Sequence, residues 1–334
     1  DGQGYALSNI AGYHMMKEEY DIALQKFDQV LEIYKKLGDK QRQVNLYFRI
    51  GATYLSNKDS KKAFEMYSKA LDLSIEMDNK NLMADSYSQI SDYYRLNEEY
   101  SMAFKNLFSA RKIIKELNVP QMLANNFYWT AKNHSDRGDL DSAIVYLNRT
   151  MEIHQKLGNM SMVGPLYFEL SVNYATKGDI DNSLEMIIKS SALLNEVNDT
   201  MRIPWNQFFT GTIYFLKQEY KTAMDKYMEP AILSLKERDE DLDLLHTSLY
   251  LLCLKELKRE YDIADLKKLI EKEKDDIGYI GNYYLFKLLG ERSYLKNAFD
   301  QVMKDKSNLE PEVAEKYTNY PIVKEIIKEW EINI

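Results

Sequence analysis

Hydrophobic residues recur along this chain at intervals of three and four residues, the spacing that places side chains on one face of an α-helix. One small residue marks the register, because it returns every 40 residues over the first two thirds of the chain. Its positions are Ala23, Ala63, Ala103, Ala143, Ser183 and Ala223. The pattern predicts six repeated units, each of them a pair of helices.

Two further positions keep the same register. Four residues after the small residue, the chain has Phe27, Tyr67, Leu107, Leu147, Ile187 and Tyr227. Twelve residues before it, a second small residue recurs as Ala11, Gly51, Ser91, Ala131, Ser171 and Gly211. Two packed helices approach to about 8–10 Å, and the closest approaches require short side chains at the crossing. We therefore expect the small residues at helix crossings, with a large neighbour such as Tyr67 filling the space beside Gly51.

Polar segments such as KEEYD and KGDID separate the two helices of each unit. Gly138 and Gly178 lie in two of these segments and suit the left-handed conformation that often ends a helix. A single helix pair cannot bury its own apolar face, so consecutive pairs must stack on one another.

These positions resemble the tetratricopeptide repeat, which has a small residue at its eighth position, tyrosine near the eleventh, alanine at the twentieth and an aromatic residue at the twenty-fourth. The resemblance covers residues 4 to about 242. Its 40-residue unit is similar to the longer variety found in bacterial signalling proteins, beside sensor kinases, cyclases and ATPases, and in peptide-sensing regulators. The resemblance implies an all-α fold, a right-handed α-solenoid superhelix of antiparallel helix pairs.

The period slips after Pro230, because Ala264 in EYDIADLKKL lies 41 residues after Ala223. We predict six regular units over residues 1–242 and two degenerate helix pairs over residues 243–308. The last repeat of an array needs a cap, since its outer face has no neighbour. Residues 309–334 are predicted to be capping helices, with Trp330 on the last pair, in one continuous solenoid.

Composition and motifs argue against several classes of function. The net charge is −8 without a Lys/Arg-rich run, which argues against a nucleic-acid surface. The chain has no apolar run long enough to span a membrane. It also lacks a phosphate loop, an H-E-x-x-H motif and paired cysteines. We therefore expect no catalytic residue, no cofactor and no metal site.

The histidines and the cysteine have structural interpretations. His14 and His134 occupy a position where other units have tyrosine, so we expect them to pack as aromatic residues. Cys253 lies in an apolar run and is predicted to be a buried core thiol.

The resemblance also implies which side chains face a ligand, because the first helix of each tetratricopeptide pair lines the concave face. These positions are mainly polar in units one to three and mainly aromatic in units four to six. The predicted peptide-binding residues are Asn9, Asn45, Phe48, Arg49, Asp85, Gln89, Asn125, Tyr128, Lys132, Phe168, Trp205 and Phe208. Asparagine can bond a peptide backbone, and aromatic residues can form pockets for its side chains. The alternative is that the aromatic residues pack the longer helices.

The leading functional hypothesis is a non-catalytic scaffold whose concave face binds a peptide or protein segment, within a larger bacterial signalling protein. The alternatives are a peptide-sensing allosteric regulator and the regulatory region of a cyclase, kinase or ATPase outside this segment. The N-terminus, DGQGYALSNI, has no initiator methionine and no signal-peptide pattern, so we expect a fragment. The expected location is the cytoplasm, or the periplasm if a signal or anchor precedes the fragment.

Overall fold

The computed structural model describes residues 2–274 and 277–332, and all regular elements in these ranges are helices. This confirms the all-α prediction. The chain divides into two compact units, one ending at Asp136 and the other beginning at Arg137. The helices of the first unit are α1 (Gly2–Met16), α2 (Tyr20–Lys36), α3 (Lys40–Ser56), α4 (Ser60–Glu76), α5 (Lys80–Leu96), α6 (Tyr100–Leu117) and α7 (Pro120–Asp136).

The second unit continues with α8 to α18. Its helices are α8 (Leu140–Lys156), α9 (Met160–Lys177), α10 (Ile180–Glu196), α11 (Ile203–Leu216), α12 (Tyr220–Thr222, Ala223–Met228 and Glu229–Lys236), α13 (Leu244–Glu256), α14 (Ala264–Glu273), α15 (Tyr279–Leu289), α16 (Arg292–Ser307), α17 (Pro311–Thr318) and α18 (Pro321–Ile332). Within each unit, most consecutive helices pack against one another, and α13 packs against both α14 and α15.

Polar caps set the start of many helices. Asp39 accepts a hydrogen bond from the backbone N–H of Arg42 at 2.9 Å, and Asn79 accepts one from Leu82 at 3.2 Å. Such a cap satisfies one of the N–H groups that a first helical turn leaves without a partner. The helices α2 to α6 begin at 20-residue intervals, from Tyr20 to Tyr100, and α3, α4 and α5 each start with such a cap.

Small residues lie at the helix crossings, as the sequence predicted. Ala23, Ala63 and Ala103 are fully buried. At Gly51, a Cβ atom would lie 2.4 Å from Cε1 of Tyr67, which is closer than real Cβ contacts. Glycine is therefore what allows the Tyr67 ring to fill the crossing between α3 and α4.

The sixth repeat departs from the predicted register inside α12. Residues Ala223–Met228 form a π-helical segment, whose wider turn takes up an extra residue. From the end of this segment onward, the buried residues are Met228, Ala231 and Leu235, each one position later than in the preceding repeat. The assignment of Tyr227 to the core position was therefore wrong. Tyr227 is partly buried and stacks on Tyr214, and Met228 takes the core position.

The segment EYDIADLKKL resembles the repeat motif, but its small residue, Ala264, likewise does not lie in the core. Ala264 is exposed and is the first residue of α14, where its N–H donates to Asp262 at 2.9 Å. The core contact of this helix comes from Leu266, which is 1% exposed. The spacing of Ala264 therefore does not extend the register of the six repeats.

The C-terminal helices have two sets of neighbours within the second unit. Trp330 stacks on Phe299 of α16, with ring centroids 5.2 Å apart, as expected of a residue packed on the last helix pair. The same helices also contact the beginning of the unit, because the Tyr320 hydroxyl donates to the carbonyl of Gly138 at 3.2 Å. One buried cluster extends from Leu140 to Ile326. A capping role alone does not predict that the C-terminal helices also contact the region of α8 and α9.

Candidate functional site

The first helices of the pairs present a regular surface in the first unit. We call the surface formed by α1, α3, α5 and α7 its first-helix face. The second position of each repeat carries an exposed side chain, and these residues are Tyr5, Asn45, Asp85 and Asn125. Asn9 is also exposed, whereas Phe48, Gln89, Tyr128 and Lys132 are half-buried. Because neighbouring first helices contact one another, α3 with α5 and α5 with α7, equivalent positions form a row.

Arg49 links three helices of the first unit. Its guanidinium donates to the carbonyl of Ser8 at 3.0 Å and also contacts the Ser8 hydroxyl. The same group lies 4.8 Å from the centroid of the Phe27 ring. Burial lowers the pKa of Arg49. These contacts give Arg49 a structural role beside any contact with a ligand.

An ion network lies farther along the same face. Arg95 donates to Asp92 at 2.7 and 2.9 Å and also contacts Asp136, while Lys132 lies 4.0 Å from Asp136. Burial alone would lower the pKa of Arg95, but the two carboxylates outweigh it and raise the pKa. The candidate set included only Lys132 of this network. The sequence pattern could have identified Asp92 and Arg95 as well, since they occupy the ninth and twelfth positions of the third repeat.

Asp85 differs from these paired charges. Its side chain is exposed, yet desolvation raises the pKa of its carboxyl group. Both properties fit a carboxylate that water reaches but that protein surrounds on several sides. Among the described residues, no charged side chain offsets this desolvation of the Asp85 carboxyl group. A cationic ligand group beside it would favour its charged form.

The amide and aromatic candidates of α7 lie beside one another. Asn125 accepts a hydrogen bond from the Gln121 amide at 3.3 Å, so it retains its own amide donor for other contacts. The Tyr128 and Trp129 rings meet edge to face, with centroids 5.4 Å apart. Trp129 also lies 5.9 Å from the guanidinium carbon of Arg95.

In the second unit, two of the predicted site residues remain accessible and one does not. Phe168 is half-buried and packs against Phe209 at 5.2 Å between ring centroids. Trp205 is also half-buried, and its indole N–H donates to Glu240 at 3.4 Å. Phe208 is 0% exposed and belongs to the core cluster. The expectation that Phe208 faces a ligand is therefore corrected, because its side chain lies between the helices.

Neighbouring residues of the fold contact His14, His134 and Cys253, the residues with predicted packing roles. The His134 ring lies 4.5 Å from Phe104, whereas His14 bonds Glu19 through Nδ1 at 2.5 Å. Cys253 is buried and its thiol donates to the Tyr220 carbonyl at 3.4 Å. Burial raises the pKa of Cys253 to about 11, so the unreactive thiol form prevails near neutral pH.

His154 makes the stability of the second unit depend on pH. It is 2% exposed, its Nδ1 has no hydrogen-bond partner in the described part of the chain, and burial lowers its pKa. The unfolded chain takes up this proton near pH 6.5, whereas the folded chain does so only at lower pH. Acidification through this window should therefore lower the free energy of unfolding by about 1.4 kcal/mol for each unit of pKa difference.

Replacement of His154 by leucine should remove this component of the pH dependence. Leu194 is buried at the equivalent position of the next repeat, so the substitution fits the fold. The measurement is urea unfolding of both proteins between pH 7 and pH 5. Parallel pH profiles for the two proteins would contradict the assignment.

Among residues 2–274 and 277–332, no group of three or more His, Cys, Asp or Glu side chains could hold a metal ion. None of the helices that the structure describes combines the length and the hydropathy needed to cross a membrane.

Comparisons with protein families agree with the repeat pattern. A tetratricopeptide-repeat model matches residues 3–76, and the model of the soluble NSF attachment protein, SNAP, matches residues 79–238. No curated protein matches the sequence with significance.

Several solved structures share the fold. Aspartyl phosphate phosphatase F from Bacillus subtilis has a TM-score of 0.61 and 14% identity, over 98% of this chain and 82% of that one. A Rap protein complexed with competence and sporulation factor has a TM-score of 0.56 and 15% identity, over 99% and 77%. A signal transduction ATPase with a tetratricopeptide repeat sensor from Pyrococcus horikoshii has a TM-score of 0.60 and 12% identity, over 98% and 49%.

At these identities the structural likeness concerns the fold, and it agrees with the two family models and with the packing of consecutive helices in each unit. Folds of this kind are typical of protein–protein interaction and are generally not catalytic. The chain therefore contains tetratricopeptide-like repeats, which the family model matches over residues 3–76 and which recur along the sequence with a 40-residue period.

Proposed function

We propose that this chain is a non-catalytic interaction scaffold of a bacterial signalling protein, and that the first-helix face of its first unit binds an extended peptide segment. One observation carries the proposal: the row of exposed side chains at Tyr5, Asn45, Asp85 and Asn125, one from each consecutive first helix. A cytoplasmic location belongs to the same proposal.

The spacing of this row suits an extended peptide. Packed helices lie about 8–10 Å apart. An extended peptide advances about 3.3 Å per residue. Each first helix therefore meets about every third residue of the peptide. The amide groups of Asn45 and Asn125 can donate to and accept from the peptide backbone there.

Asp85 adds a preference for positive charge. Its carboxylate lies in the row between Asn45 and Asn125, and desolvation already disfavours its charged form. A lysine or arginine side chain of the peptide would stabilise that charge, because an opposite charge nearby favours ionisation. We therefore expect the bound peptide to carry a basic residue that contacts Asp85.

The half-buried aromatic residues of the second unit form a second region that we expect to contact a ligand. Phe168 and Phe209 form one aromatic pair, and Trp205 lies beside His246 with ring centroids 5.2 Å apart. Large aromatic side chains supply much of the binding energy at protein interfaces. We expect this region to accept apolar side chains.

Removal of the polar row should weaken peptide binding. Peptides are first selected on the wild-type protein from a random displayed library, and their affinities are then measured by fluorescence polarisation. Asn45→Ala, Asp85→Ala and Asn125→Ala should each weaken binding by about 2- to 12-fold, since a hydrogen bond contributes about 0.5–1.5 kcal/mol. Asp85→Ala should weaken binding most for peptides with basic residues.

Asp72→Ala is the matched control, because Asp72 is an exposed aspartate on α4, a second helix. It should leave all affinities unchanged. Circular dichroism verifies that each variant is folded. Equal binding by the three row variants and the control would exclude this face as the peptide site.

The likeness to the Rap protein complexed with competence and sporulation factor favours a second candidate, a peptide-sensing allosteric regulator. A regulator of this kind would change shape when the selected peptide binds. Small-angle scattering with and without peptide would distinguish the two, since a scaffold keeps its radius of gyration. The tetratricopeptide sensor of the Pyrococcus ATPase likewise supports the alternative of a regulatory region for a cyclase, kinase or ATPase.

A further inference from the structure

The C-terminal helices of the second unit dock on the turns of two repeats near its beginning. The Tyr317 ring lies 2.7 Å from the point where a Cβ of Gly138 would be, and the Pro321 ring lies 2.7 Å from the corresponding point at Gly178. The Tyr320 hydroxyl donates to the Gly138 carbonyl at 3.2 Å. We call residues 309–332 the strap.

Only these two intra-repeat turns carry glycine. The equivalent residues of the other four repeats are Glu18, Lys58, Glu98 and Gln218, with φ between 59° and 63°. Those turns adopt the left-handed conformation without glycine. Gly138 and Gly178 have φ of 89° and 91°, and each has a ring where a side chain would be. The glycines are therefore needed for the approach of the strap, and not for the turn alone.

Two ion pairs join the strap to these turns, and in each of them at least one side chain is well exposed to solvent. Arg137 pairs with Glu310 at 3.3 Å, and Lys316 pairs with Asp141 at 3.1 Å. Exposed ion pairs stabilise a contact by at most a small amount. The fit of Tyr317 and Pro321 over the glycines is therefore the main restraint on this side of the strap.

The opposite side of the strap packs on the last helices of the second unit. Val323 and Ile326 are buried in the core cluster, and Trp330 stacks on Phe299. The strap thus connects the last helices of the second unit to α8 and α9, and closes residues 137–332 into a ring. The contact that closes the ring is formed by few side chains, chiefly those of Tyr317, Tyr320 and Pro321.

We propose that the strap is a conformational clasp, which detaches from the turns of α8 and α9 while the repeats stay folded and thereby opens the second unit. Detachment exposes the two glycine turns and lets α8 and α9 move away from α15 and α16.

Hydrogen exchange measured by mass spectrometry on the full chain tests the proposal. Gly138→Ala and Gly178→Ala should each accelerate exchange of the amides in residues 311–332 by at least about tenfold, since the added methyl group overlaps a ring. Exchange in α10 and α11 should stay at the wild-type rate. Gly158→Ala is the matched control, because Gly158 also has a positive φ, 72°, but no atom within 4 Å of its Cβ position.

Tyr320→Phe provides a test that preserves packing, since it removes only the hydroxyl that bonds Gly138. It should accelerate exchange in residues 311–332 by a few fold. If the strap exchanges at the wild-type rate in both glycine variants and in Tyr320→Phe, the clasp is excluded. The clasp is also excluded if α10 and α11 accelerate together with the strap, because the strap would then open only when the whole unit unfolds.

Discussion

Replacement of Phe208 by alanine should lower the free energy of unfolding of the second unit by about 3–5 kcal/mol, the usual cost of removing a buried aromatic side chain. Phe208 is fully buried and meets the His246 ring edge to face, with centroids 5.2 Å apart. The substitution removes these contacts and leaves a cavity in the core cluster. Urea unfolding followed by circular dichroism measures the loss.

Phe168→Ala is the comparison, because Phe168 was predicted to belong to the same face but remains half-buried. It should cost less stability than Phe208→Ala and should weaken binding of peptides with apolar side chains. Phe208→Ala should mainly lower the stability, and its peptide binding is compared at temperatures where this variant stays folded. The opposite ranking of the two stabilities would show that Phe208 is not a core residue.

Gly51→Ala should destabilise the first unit by about 1–3 kcal/mol, as overpacking of a core does. An added methyl group would lie 2.4 Å from the Tyr67 ring, and Tyr67 is 2% exposed and has little space to move. Alanine has the higher helix propensity, by about 1 kcal/mol, and this gain is included in the expected net loss. Thermal unfolding measures the change.

A second substitution, Tyr67→Leu, should recover much of that loss. The fourth repeat has alanine and leucine at these two positions, Ala131 and Leu147, so the pair is compatible with the fold. The double-mutant cycle measures the coupling between positions 51 and 67. Additive effects would show that the Tyr67 ring does not limit the size of residue 51.

The sequence predicted the repeated part of the fold because local rules determine it. The caps at Asp39 and Asn79 and the small residues at Ala63 and Ala103 act within a repeat or between neighbours, so their spacing carries the information. The same register identified the exposed row of Asn45, Asp85 and Asn125 as surface residues. Whether this row binds a ligand remains a proposal.

The sequence did not predict features that break the register or join distant segments. The π-helical segment at Ala223–Met228 shifts the core positions by one residue. The small residues keep their 40-residue spacing up to Ala223, so the sequence pattern does not indicate this shift. The repeat pattern assigns Phe208 to a surface position, but the packing of α11 against its neighbours buries this side chain. The contact of Tyr317 with Gly138 joins residues far apart in the chain, which periodicity cannot detect.

The return of the last helices to α8 and α9 also affects how the two units should melt. An open array of repeats behaves as a one-dimensional chain in which each repeat interacts only with its neighbours, so it can fray from an end. A closed arrangement has no free end while its joint holds, and fraying must first break that joint. The first unit should therefore lose its helices gradually, whereas the second should unfold in a sharper, more cooperative transition.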